Sequence, residues 1–252
     1  MTRISLKHVK LSCKALHALV QLFPNLEVLF LVDCGLTNSH LREIAKLKRL
    51  DALNIRENPL IGNKGMQALW GLENLTRFQV GPSRYLTDKG MAGIRVHTSY
   101  ASFINMSGCQ QVKGAFLSEN PNLAILNMGN CTKMAASAFK AIRQMSFLFK
   151  LVLSGVPAVN EENLRGIQLS SLGVLHVSQC NNLNDMALKI IGQWKMLLEL
   201  DASHCPSLTD EGIATALCEL HRLQEVNLVG SNVWTKTQAQ LPRMERLRAC
   251  YF

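Results

Sequence analysis

The stretch LGVLHVSQC, Leu172–Cys180, followed by NNLNDMALKIIGQW (181–194), decides the fold of this 252-residue chain. In its first nine residues, Leu175 and Val177 stand at places four and six, with Leu172 at place one. Side chains alternate across a strand, so Leu175 and Val177 share one face and His176 points to the other. Gln179 and Cys180 close the strand. The next residues have helical spacing, with Leu188 and Ile191 three apart behind Asn184, a residue suited to capping.

The same nine-place frame recurs. It appears as LEVLFLVDC (Leu26–Cys34), LDALNIREN (Leu50–Asn58), LTRFQVGPS (Leu75–Ser83), ASFINMSGC (Ala101–Cys109) and LAILNMGNC (Leu123–Cys131). LFKLVLSGV (Leu148–Val156), LLELDASHC (Leu197–Cys205) and LQEVNLVGS (Leu223–Ser231) continue it, MTRISLKHV (Met1–Val9) fits at the start, and MERLRACYF (Met244–Phe252) reads as a worn last copy. The frames begin 21 to 26 residues apart. A period of that length with one strand per unit is the signature of a leucine-rich-repeat solenoid. The expectation is an α/β fold: a horseshoe arc of about ten repeats, with a parallel concave sheet and convex helices. One domain should cover 1–252, with partial repeats at 1–25 and 241–252.

The units after the frames support helices outside the sheet. In LTDEGIATALCEL (208–220), Thr209 can cap, Asp210 and Glu211 complement the helix dipole, and Ile213, Ala216, Leu217 and Leu220 form an apolar stripe. LTNSHLREIAKL (36–47) and LTDKGMAGI (86–94) repeat the plan.

Eight cysteines occur without a C-x-x-C pair, and five (Cys34, Cys109, Cys131, Cys180 and Cys205) share place nine. A small side chain that tolerates burial and hydrogen-bonds weakly suits a turn through the core. These are expected to be free thiols in a reducing compartment rather than disulfides or metal ligands. The net charge of +9 favours acidic partners of some kind. No run of eighteen apolar residues is present, so no membrane span is expected. The first stretch is acid-free until Glu27 and carries Arg3, Lys7, Lys10 and Lys14. It suits a mitochondrial transit peptide as well as a first repeat.

CPSLTDEGIATALCEL (205–220) and CNNLNDMALKIIGQW (180–194) resemble the cysteine-containing class of leucine-rich repeats, best known from the substrate-binding part of F-box proteins in ubiquitin ligases. They also resemble leucine-rich-repeat subunits of large assemblies such as the axonemal nexin–dynein regulatory complex. The resemblance implies the fold and a binding role. An F-box would precede the repeats, and this sequence enters a repeat at its first residue, so a ligase-binding half would come from another chain.

Places three, five and seven should face the concave side. The candidate partner-binding residues there are Val28, Phe30, Val32, Asn54, Arg56, Arg77, Gln79, Asn105, Asn127, His176, Asp201 and Asn227. Val28, Phe30 and Val32 form an apolar group facing water, which marks an interaction site. Charge is graded along the arc, with Arg3, Lys7, Arg56 and Arg77 on early strands and Glu199, Asp201 and Glu225 on late ones. His176 and Asp201 are expected to touch across adjacent strands. Basic clusters lie elsewhere: Lys46, Lys48 and Arg49, and Arg243, Arg246 and Arg248. Met1, Ile4 and Leu6 begin the stack and Leu247, Cys250, Tyr251 and Phe252 end it, so at least one end is expected to be covered by another protein.

No H-E-x-x-H, G-x-S-x-G, Walker loop or G-x-G-x-x-G is present, and no cofactor is implied. The expectation is a non-enzymatic interaction or scaffold subunit of a multiprotein or ribonucleoprotein machine, with protein partners as constitutive subunits. It would reside in the cytoplasm or on the cytoskeleton or axoneme, with the mitochondrial matrix as an alternative. A ubiquitin-ligase adaptor and an RNA- or anionic-surface-binding protein are the other readings.

Overall fold

The computed structural model describes residues 2–97, 102–231 and 248–251. Eleven strands form one sheet, every one parallel to the next and in sequence order: β1 (Arg3–Lys7), β2 (Val28–Val32), β3 (Ala52–Asn54), β4 (Arg77–Gln79), β5 (Phe103–Asn105), β6 (Ile125–Asn127), β7 (Lys150–Val152), β8 (Val174–His176), β9 (Glu199–Asp201), β10 (Glu225–Asn227) and β11 (Ala249–Tyr251). Register never slips. Place four runs Ile4, Leu29, Leu53, Phe78, Ile104, Leu126, Leu151, Leu175, Leu200 and Val226 across adjacent strands. From Leu29 onward that row is buried, and so are the described first- and sixth-place residues from Leu26 on. The expected leucine-rich-repeat solenoid is the fold.

The outer layer holds α1 (Cys13–Leu22), α2 (Asn38–Ile44), α3 (Asn63–Ala68), α4 (Asp88–Met91), α5 (Ala136–Ile142), α6 (Glu161–Leu164), α7 (Asp185–Ile191) and α8 (Asp210–Glu219). A 3-10 turn at Ala115–Glu119 replaces the α-helix between β5 and β6. Thr209 caps α8 by accepting from the Gly212 N–H, and Ile213, Ala216, Leu217 and Leu220 are buried. Residues 3–22 form a strand and helix continuous with the stack.

Three features recur along the stack, two of them hydrogen-bond ladders between repeats. The first is at place nine. Cys34, Cys131, Cys180 and Cys205 donate their thiol protons to the sixth-place carbonyl of the preceding repeat, on Leu6, Met106, Leu153 and Val177. Asn58 and Ser231 do the same to Leu31 and Ala202. The second is at place eight, where His8, Asp33, Glu57, Asn130, Gln179 and His204 all adopt left-handed backbone with φ of 52° to 61°. That conformation ends each strand so that the chain turns through the core. The third joins the helix starts. Asn38 accepts from Gly62 and Gly65 N–H, Asn63 from Thr87, Asp88 from Lys113, Gly114 and Ala115, and Asp185 from Thr209. The first residue of one helix thus caps the loop before the next.

The last repeat differs from its expected alignment. β11 pairs Ala249 with Glu225 and Cys250 with Val226, so Cys250 occupies place four and the frame begins at 247, not 244. A three-residue shift exchanges the faces of a strand. The alignment on Leu247 and Ala249 had the wrong parity because Cys250, which packs partly against the core, acts there as a small apolar residue.

Candidate concave interaction face

Helices cover one side of the sheet, and the other carries places three, five and seven. Row five runs Ser5, Phe30, Asn54, Gln79, Asn105, Asn127, Val152, His176, Asp201, Asn227 and Tyr251 across the strands. Most are half-buried, so the rows form a floor rather than free-standing side chains. The polar members have a local role. The side-chain oxygens of Asn54, Asn105, Asn127, Asp201 and Asn227 each accept the N–H two residues on, from Arg56, Ser107, Gly129, Ser203 and Val229. This turn-forming bond terminates the strand.

The apolar group on β2 is smaller than expected. Val28 and Phe30 are half-buried, but Val32 is only 8% exposed and is not presented to a partner. Val32 pairs with Lys7 in row seven, and Arg56 lies two residues past Asn54, beyond the end of β3. The Arg3 guanidinium carbon stands 5.1 Å from the centre of the Phe30 ring, so the chain covers part of that ring itself. Arg56 is half-buried. Its Nε is buried and meets no acceptor among the described residues. Arg77 is engaged with Asp51 at 2.7 Å.

At the other end, His176 and Asp201 stand opposite one another in register as expected, but among the described residues no hydrogen bond or ion pair joins them. His176 Nε2 lies 2.6 Å from Glu199 Oε1 instead, a diagonal partner in row three. Asp201 Oδ1 is occupied by the Ser203 N–H and by its hydroxyl at 2.7 Å. Sequence adjacency across strands does not foresee this, because the serine two residues on competes for the carboxylate. His176, Glu199, Asp201, Glu225, Asn227 and Tyr251 line a shallow cleft of about 160 Å³, with Tyr251 55% exposed.

The early–late charge asymmetry is real in the structure, with Arg3 and Lys7 exposed at one end and Glu225 exposed at the other. Of the basic clusters off this face, Lys46 pairs with Glu43 at 2.7 Å and Lys48 donates to the Gly71 carbonyl, while Arg49 is exposed. Arg248 is exposed, and Arg243 and Arg246 lie outside the described residues. The expected end residues Met1, Leu247 and Phe252 also lie outside them.

The place-nine cysteines are buried and unpaired by disulfides. Burial pushes the Cys109 and Cys180 thiols up to about 12 and Cys205 to about 11, and raises Cys34 and Cys131 as well. The protonated thiol is the form that donates to the carbonyl ladder. Among the described residues no group of three or more His, Cys, Asp or Glu could hold a metal ion, and no helix is long and apolar enough to cross a membrane.

The stacked parallel strands, the place-nine ladder and the convex helices define the class: a leucine-rich-repeat solenoid. Its backbone is similar to a chain of the mouse RP105/MD-1 complex, with a TM-score of 0.56 at 19% identity over 99% of this chain and 45% of that one. It is also similar to a chain of the TLR13–ssRNA13 complex (TM-score 0.51, 17% identity, 96% of this chain and 30% of that one). A chain of the yeast Rad7 and Elc1 complex gives 0.50 at 17% identity, over 97% of this chain and 80% of that one. This chain therefore spans less than half the length of the first two. No family model matches it.

Proposed function

We propose that this chain is a non-catalytic protein-interaction scaffold that binds a polypeptide on its concave face, as a subunit of a larger assembly. The observation that carries this is the one-sided sheet: helices cover one face, and the other presents continuous rows of half-exposed side chains with an apolar patch at Val28 and Phe30. A rigid curved floor of this kind positions contacts on elements that do not move, which favours recognition over chemistry. The whole chain acts as one repeat domain on this reading. Free, buried, proton-donating thiols favour a reducing compartment such as the cytoplasm or the cytoskeleton. Within that reading an axonemal or ribonucleoprotein machine is the kind of assembly that fits.

The test is capture of partners from native cells by the wild-type chain and by two variants. Val152→Arg places a charge at the centre of row five, and Phe30→Ala removes the apolar patch. Loss of the same partner with an unchanged melting temperature supports the proposal. A partner retained by both variants would place binding elsewhere. A monodisperse monomer on recombinant expression alone would count against the subunit role.

The cysteine ladder favours a second reading, substrate selection for a ubiquitin ligase with a separate F-box-type chain. Co-purification of a cullin-associated linker would support it, and a clean negative in cell extract would remove it. Binding of RNA through the basic clusters would show as affinity falling steeply with salt and with Lys48→Gln.

A further inference from the structure

The N-terminal end of the concave face has a chemistry that specifies what binds there, granted the reading above. Three rows meet on β2. Row three brings Arg3 beside Val28, row five brings Ser5 and Asn54 beside Phe30, and row seven brings Lys7 beside Val32, with Arg56 two residues past Asn54, just beyond the end of β3. Neighbouring strands lie about 4.8 Å apart, so the cations of β1 and Arg56, just past β3, lie to either side of the apolar patch within the reach of one extended segment.

Arg77, Arg95 and Arg165 each close on a carboxylate, but Arg3, Lys7 and Arg56 form no ion pair among the described residues. Arg56 is the most demanding of them. Its Nε is withdrawn from water and meets no acceptor, a state that buried polar groups rarely keep. The Nε itself is closed to an incoming ligand, and the rest of this half-buried planar guanidinium is left to receive a carboxylate. The Asn54 side-chain oxygen is engaged by the Arg56 N–H, which fixes Asn54 beside it. This end of the floor therefore offers positive charge, N–H donors and an aromatic face, with no acceptor group on Arg3, Lys7 or Arg56.

A polyanion of uniform charge laid along the arc would meet Glu199, Asp201 and Glu225 at the far end. A polypeptide whose acidic residues are confined to one end would not. We propose that the patch formed by Val28, Phe30, Arg3, Lys7 and Arg56 binds an acidic polypeptide segment. An apolar side chain of that segment rests on Val28 and Phe30, and an adjacent carboxylate is received by Arg56 with Arg3 and Lys7 beside it.

The test uses the full chain and three probes in fluorescence anisotropy: a labelled peptide of alternating glutamate and leucine, its lysine–leucine counterpart, and a single-stranded oligonucleotide of matched charge. The acidic peptide should bind at least about tenfold tighter than the basic one. Arg56→Gln and Arg3→Gln should each weaken it about tenfold, and Lys189→Gln on the helical side should not. If Arg56→Gln melts early, Arg56→Lys keeps the charge but loses the planar donors, and should weaken binding severalfold. Peptide binding indifferent to Arg56 would overturn the proposal, as would an oligonucleotide bound more tightly with the same arginine dependence. Loss of the native partner on Val152→Arg but not on Arg56→Gln would leave the concave-face reading standing and remove this one. Retention by both would remove both.

Discussion

A buried thiol and a buried amide do the same job at place nine, with different strengths. Asn58 is the fullest version. Its two Nδ2 hydrogens are shared among the Leu31, Ile55 and Arg56 carbonyls at 2.8 to 3.0 Å, and its Oδ1 accepts from the Cys34 and Leu36 N–H groups. Asn58→Ala strands several buried backbone groups at once, so it should cost about 3 kcal/mol or more in urea unfolding. The cysteines make one or two weaker bonds each, and a thiolate can donate none. Their folded pKa values lie above the unfolded value of 9.0, so the native state holds protons that the unfolded chain releases. Stability is therefore fully present below pH 9 and falls as pH rises toward 11, by about 1.4 kcal/mol per pH unit for each such thiol. Urea midpoints measured across that range should drop. A thiol reagent at neutral pH should label the exposed Cys13 and Cys218 quickly, and the place-nine thiols only on unfolding.

The convex elements are fixed by the helix-start ladder more than by helix propensity. A Cβ on Gly65 would lie 2.5 Å from Asn38 Oδ1 and 2.9 Å from its Cα, where the previous repeat's cap presses against α3. Gly90 meets Asn63 in the same way. Alanine is the better helix former by about 1 kcal/mol, yet Gly65→Ala should destabilise the chain by about 1–3 kcal/mol, read as a lowered melting temperature. Strand elements were legible in the sequence because parity alone sorts Leu29 from Phe30. The frame failed only at β11, where Cys250 carries the apolar role usually held by leucine. Helix extent was not legible: α4 has four residues and α8 has ten, because loop capping and the neighbouring repeat set where each helix stops. On the candidate face, sequence placed the rows correctly. It could not foresee that Val32 would be covered, or that His176 would choose Glu199 over Asp201, since both depend on which neighbour reaches first.

At the scale of the whole arc, each strand bonds only to the strands before and after it, so stability is passed along nearest neighbours. Every contact that holds β1 to β11 in one body runs through the middle repeats. A lesion there should act differently from one at an end. Leu126 is fully buried at place four of β6, between Ile104 and Leu151. Leu126→Ala should cost about 2–5 kcal/mol as a core truncation, and most of that should fall on the two interfaces β6 makes. Ile4, half-buried on the edge strand β1, has one neighbouring strand and less to lose. In native-state hydrogen exchange, Leu126→Ala should speed exchange most in β5 to β7 and progressively less toward β2 and β10, and its urea transition should broaden as the two halves lose their coupling. Ile4→Ala should speed exchange in β1 and β2 alone and leave the main transition in place. Uniform acceleration of every strand by Leu126→Ala would mean that the arc unfolds as a single cooperative block, and the nearest-neighbour account would then be wrong.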